Sequence, residues 1–159
     1  MTLAERVGGG PAVDDLEVFL RLSETLLDEQ DLDPGFGAEC LRLVVAAGPL
    51  TYSDDSAMTP MQAMLATFVE LAADPTDLAS RTVAVLYADL TLGAMARDIL
   101  VAWYVGAVGA GMVAPEYYGA ALIWRVLSAN PPGLPGPYYG SWANPPPRVI
   151  ERTNPGSPA

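Results

Sequence analysis

Proline placement constrains this chain more than any other feature. Nine of its 15 prolines fall in the last 30 residues, interleaved with Gly133, Gly136, Gly140 and Gly156. Proline fixes φ and lacks an N–H, so it breaks helix interiors and central strands. Residues 130–159 are therefore expected as an extended, polyproline-like or irregular tail. Of the other six prolines, Pro34, Pro60 and Pro115 sit where helices can start and Pro49 and Pro75 where they stop, which leaves residues 1–129 free to be helical.

Apolar spacing then divides residues 1–129. Val13, Leu16, Leu20 and Leu27, with Phe19, Leu22 and Leu26 alongside, predict an amphipathic helix over 13–30, with Asp14, Asp15 and Glu17 at its positive end. Asp33-Pro34 is an N-cap followed by a first-turn proline, opening a second helix that ends near Gly48. Residues 48–58 read as a loop, and Thr59-Pro60 repeats the start signal for a helix to about Ala73, which Asp74-Pro75 ends. From Asp77 to about Gly106 the pattern is helical in two pieces meeting near Leu90 to Gly93, with Met95, Ile99, Ala102 and Trp103 as the apolar stripe. Pro115 opens a last helix to about Ala129. No segment alternates with period two, so little or no sheet is expected. The fold class is all-α: a compact bundle of four to six helices over residues 1–129, and a proline-rich tail over 130–159 that packs on the domain and on a partner.

Composition removes whole classes of chemistry. The chain has 159 residues and 51% hydrophobic content, enough for a real core. Residues 1–98 hold 17 acids against five arginines, and residues 99–159 hold two acids against three, for a net charge of −11. Nucleic acid demands clustered Lys and Arg, which are absent here. Without lysine there is no polybasic membrane patch, Schiff base or P-loop. Without histidine there is no near-neutral proton shuttle, Ser-His-Asp triad or imidazole ligand. Cys40, the single cysteine, cannot build a zinc site or an internal disulfide and reads as a buried thiol. No site for a catalytic group, cofactor or metal is expected in this chain. The longest uncharged run, between Asp98 and Glu116, is broken by glycine and reads as a core helix leading into a loop rather than a membrane span. The N-terminus shows neither an apolar run after a charged region nor a twin arginine, so the expected location is cytoplasmic, with export alongside a partner as the alternative.

Three motifs invite functional readings. Gly109-Ala-Gly111-Met-Val-Ala114 mimics a dinucleotide fingerprint, but a helical stripe precedes it and Pro115 follows, so it reads as a helix-to-helix turn. The run Asp28, Glu29, Asp31, Asp33 fails the EF-hand register at Gly35, Phe36 and Arg42, and reads as a solvated helix end with an N-cap. Asp54 and Asp55, adjacent acids in a polar loop, read as turn formers rather than a glycosidase pair.

The strongest constellation is uncharged. Ala102-Trp103-Tyr104-Val105-Gly106 ends one helix, and Tyr118-Gly-Ala-Ala-Leu122-Ile-Trp124 belongs to the next. Tyr138, Tyr139, Trp142, Pro145, Pro146 and Pro147 follow in the tail. Trp and Tyr combine large contact area with a polar tip and are enriched at interface anchors, although they also fill cores. With Phe19-Leu-Arg-Leu-Ser23 and Leu32-Asp33, these segments resemble the small subunit of membrane-bound, FAD-dependent sugar and polyol dehydrogenases, the sorbitol and fructose dehydrogenase type. The pieces matching AWYxG (Ala102–Gly106) and GxWAxPPP (Gly140–Pro147) are the most specific, and the resemblance covers about residues 15–147.

That resemblance implies a non-catalytic subunit. The partner would be a large FAD-containing flavoprotein of the glucose–methanol–choline type, often with a cytochrome c subunit. The small subunit would stabilise the large one, assist its folding and help load its flavin. Members commonly carry a twin-arginine leader, and many a cysteine in the loop before the last tryptophan, where this chain has Leu134, Pro135 and Pro137. The alternative is a free-standing helical interaction or chaperone module with no flavoenzyme partner.

Overall fold

A computed structural model describes residues 13–48, 58–129 and 131. Among these are six α-helices: α1 (Val13–Leu27), α2 (Pro34–Ala47), α3 (Pro60–Ala72), α4 (Leu78–Ala88), α5 (Leu90–Val105) and α6 (Leu122–Val126). Between α5 and α6 lie a two-strand ribbon, β1 (Ala107–Val108) and β2 (Gly111–Met112), and a 3-10 helix at Pro115–Ala120.

The helix starts follow from local chemistry. The Asp33 carboxylate accepts from the Phe36 N–H at 2.6 Å, with Pro34 in the first turn of α2. Thr59 and Gln62 form a reciprocal capping box at α3, each side chain accepting from the other's backbone N–H. Asp89 accepts from the N–H groups of Thr91 and Leu92, so α4 and α5 are separate helices that meet at Asp89 rather than between Leu90 and Gly93. Left-handed residues close both α5 and α1. α5 stops on Gly106 at φ +73°, which glycine adopts without steric cost. α1 stops at Leu27, three residues before the expected 30, because Asp28 adopts φ +54° and the Glu29 N–H returns to the Glu24 carbonyl. That is a Schellman-type ending with aspartate in glycine's place.

The core is one cluster with α5 through its middle. α5 contacts each of α1–α4, and α1 contacts each of α2–α5. Phe19, Leu22, Phe36, Cys40, Val44, Met64, Phe68, Leu86, Ile99 and Trp103 are essentially excluded from solvent. Gly37 allows the closest approach: a Cβ there would stand 2.5 Å from Leu20 Cδ2 and 3.3 Å from the Trp103 ring.

Two expectations are corrected. The continuous last helix over 115–129 is instead the 3-10 helix, a break at Ala121 (φ −59°, ψ 132°) and the five-residue α6. The Tyr118 carbonyl, which an α-helix would commit to residue 122, accepts from the Ala121 N–H at 3.4 Å and from the Trp124 indole at 3.1 Å. The Gly109–Ala114 motif is not a simple turn either. Ala107 pairs with Met112 and Val108 with Gly111, making a hairpin whose first turn residue, Gly109, has φ +57°. Asp54 and Asp55, and the tail residues Tyr138, Tyr139, Trp142, Pro145, Pro146 and Pro147, lie outside the described residues. No helix among the described residues is long and apolar enough to cross a membrane.

Candidate functional site

The aromatic constellation divides into a core half and a surface half. Trp103 is 1% exposed, and its ring meets Phe36 edge-on, with centroids 5.3 Å apart. Its indole N–H has no acceptor among the described residues. Tyr118 and Trp124 are half-buried and form a second edge-on pair at 5.4 Å, locked by the indole bond to the Tyr118 carbonyl. Gly106 brings the two halves together. It reverses the chain after α5, so that Val113, Tyr118 and Ala121 crowd its α-carbon, and the Val113 N–H bonds its carbonyl at 2.9 Å. Leu122 is buried at the start of α6, and Tyr104 is half-buried against the core. Val126 and Leu127 are exposed just beyond.

A polar clamp seats the hairpin on α2. Arg42 donates to both Glu39 carboxylate oxygens, at 2.8 and 3.3 Å, and to the Met112 carbonyl, while Glu39 accepts from the Ala114 N–H. The Arg42 hydrogen bonds lower the Glu39 carboxyl below its ordinary range, with desolvation opposing and the Ala114 N–H adding to the effect. Burial pushes the Cys40 thiol up to about 12, with the neighbouring Glu39 charge adding to it, which makes Cys40 inert as a nucleophile at neutral pH.

A wide cleft of about 400 Å³ lies away from the aromatics, lined by Arg21, Glu24, Asp28, Phe68, Asp77 and Leu78 among others. Three carboxylates and one arginine disfavour a pyrophosphate there. Among the described residues, no group of three or more His, Cys, Asp or Glu could hold a metal ion. The glycine motif offers no dinucleotide cradle either, because its hairpin leads into a six-residue 3-10 helix rather than an α-helix N-terminus. Neither this cleft nor this hairpin is built to hold the pyrophosphate of FAD.

Residues 9–146 match the family described as membrane bound FAD containing D-sorbitol dehydrogenase. The chain belongs to this family. No match was found among curated proteins or among solved structures. The matched span takes in every described helix and the whole Trp103–Trp124 region.

One surface was not legible as a site from aromatic motifs. α4 buries only Thr82 and Leu86 of its 11 residues, and exposes Val83, Val85 and Tyr87. α5 adds Leu90, 93% exposed, and Val101. The signal was in α4 itself, whose sequence LASRTVAVLYA is apolar around its whole circumference instead of along one stripe.

Proposed function

We propose that this chain is the non-catalytic small subunit of an FAD-dependent sugar or polyol dehydrogenase. It stabilises the large flavoprotein subunit, assists its folding and helps load its flavin. The observation that carries this reading is the family match over residues 9–146. FAD then belongs to a large partner of the glucose–methanol–choline type, and a cytochrome c subunit completes electron transfer from it. The physical mechanism is mass action: a surface that binds only the folded, flavin-competent large subunit raises that state's population. The chain meets its partner in the cytoplasm and leaves, where export occurs, as its passenger.

The test is to co-express the tagged chain with its neighbouring genes, purify on the tag and scan absorbance. The expected result is a stoichiometric large subunit with a flavin spectrum, and less flavin per large subunit when the small chain is omitted. A colourless lone chain would overturn the assignment in favour of a free-standing module. A large subunit equally loaded with and without the chain would overturn the flavin-loading role.

A further inference from the structure

The exposed apolar residues of α4 and α5 form one continuous face. Val83 and Tyr87 are one turn apart on α4, and Leu90, Ala94, Arg97 and Val101 recur every three or four residues on α5, all of them exposed. The two helices pack on each other, and the Arg97 guanidinium lies 5.8 Å above the Tyr87 ring, bridging the stripes. Few charges interrupt them. Between Leu78 and Val105 the only charged residues are Arg81, Asp89, Arg97 and Asp98. Arg81 is committed to the carbonyls of Leu71, Asp74 and Thr76, and Asp89 to capping α5. Of the exposed acids, Glu17, Asp28, Asp31 and Asp33 lie on α1 and the loop after it, and Glu70, Asp74 and Asp77 on α3 and the corner before α4.

α4 packs against α1, α3 and α5 but turns little of its own surface inward. Eleven residues are below the length at which an isolated helix holds in water. Its N-cap, Asp77, makes no side-chain cap bond, and Thr82, Leu86 and the half-buried Leu78 are what it turns toward the core. A contiguous exposed apolar patch with an Arg and a Tyr at its centre has the composition of an interface core.

We infer that this α4–α5 face is the surface that receives the large FAD-containing subunit, through an apolar, charge-poor patch on that partner. The inference rests on the small-subunit reading proposed above. Charge argues against a second copy of this chain as occupant, because two molecules of net charge −11 repel. Family membership supplies a partner of another kind, and α4 and α5 lie wholly inside the matched span. Leu90, at the corner between the helices, is the anchor.

The test is Leu90→Asp in the full chain co-expressed with the large subunit. Leu90 is the first residue of α5, where an acidic side chain suits the helix N-terminus, so the variant is expected to fold. Expected are an unchanged melting temperature and monomeric mass for the isolated chain. Recovery of the flavoprotein should fall about tenfold or more, the worth of burying one leucine. Glu17→Lys on α1 serves as the control and should leave recovery unchanged. Full recovery of the flavoprotein with Leu90→Asp would overturn this assignment while leaving the small-subunit function standing. A wild-type chain that retains no flavoprotein would overturn both. A wild-type dimer that Leu90→Asp dissociates would give the face to a second copy, and a melting temperature lowered by Leu90→Asp in the monomer would give it to the chain's own tail; either overturns the inference.

Discussion

Cys40 shows how burial decides the chemistry of a single side chain. It is fully excluded from water, and desolvation raises its thiol from 9.0 to about 12. The folded protein therefore holds this proton more tightly than the unfolded chain does. Its stabilising contribution is complete below pH 9 and is lost as pH rises from there through the folded value. Urea midpoints measured from pH 8 to 11 should fall more steeply for the wild type than for Cys40→Ala, and an aqueous disulfide reagent should label Cys40 only in the unfolded chain. Thr82 illustrates the opposite problem. Its hydroxyl is buried with no partner among the described residues, so Thr82→Val should be neutral or stabilising by about 1 kcal/mol, read by thermal melting.

At the scale of elements, two arginines tie secondary structure together. Arg81 of α4 donates to the carbonyls of Leu71, Asp74 and Thr76, so it caps the end of α3 from outside and closes the α3–α4 corner. Arg81→Ala strands those acceptors at a helix C-terminus and should cost about 1–2 kcal/mol, measured by urea denaturation. Arg81→Lys should recover only part, because a single ammonium cannot reach three carbonyls at those angles. Arg42 with Glu39 does the same for the hairpin on α2. The Glu39 carboxyl titrates below its ordinary value, so its contribution is present above pH 4.5 and lost as pH falls through the folded value. Both side chains are partly solvated, so Glu39→Gln should cost no more than about 1 kcal/mol at pH 7, and the two proteins should converge in acid.

Across the whole molecule, charge is unevenly placed. Acids crowd α1 and its following loop, whereas Val83, Tyr87, Leu90 and Val101 lie exposed on α4 and α5, with Val45, Val69, Met112, Val126 and Leu127 exposed elsewhere. A chain at net −11 repels itself, so added salt should raise the melting temperature by screening, measured between low and about 0.15 M ionic strength where the Debye length shortens to about 8 Å. The same unevenness leaves the α4–α5 face poor in carboxylates that a seated protein would bury unpaired.

The helical class, the starts of α2 and α3 and the core stripe through Met95, Ile99 and Trp103 were all legible in the sequence. Caps, first-turn prolines and three-to-four spacing act over a few residues and need no tertiary partner. So was the family, through segments such as Ala102–Gly106 and Gly140–Pro147 that lie within or overlap the matched span. The break at Ala121 was not legible, because it depends on the Trp124 indole taking the Tyr118 carbonyl from the helix. Nor was the hairpin, which Glu39 and Arg42 hold from about 70 residues away. Which aromatic fills the core and which stays at the surface was also left to tertiary structure. Trp103 and Trp124 follow similar apolar patterns, but only the packing of α5 among α1–α4 buries the first and leaves the second half-exposed. Local signals set where helices begin and what they can be made of; long-range packing alone decides which of their faces remain open to a partner.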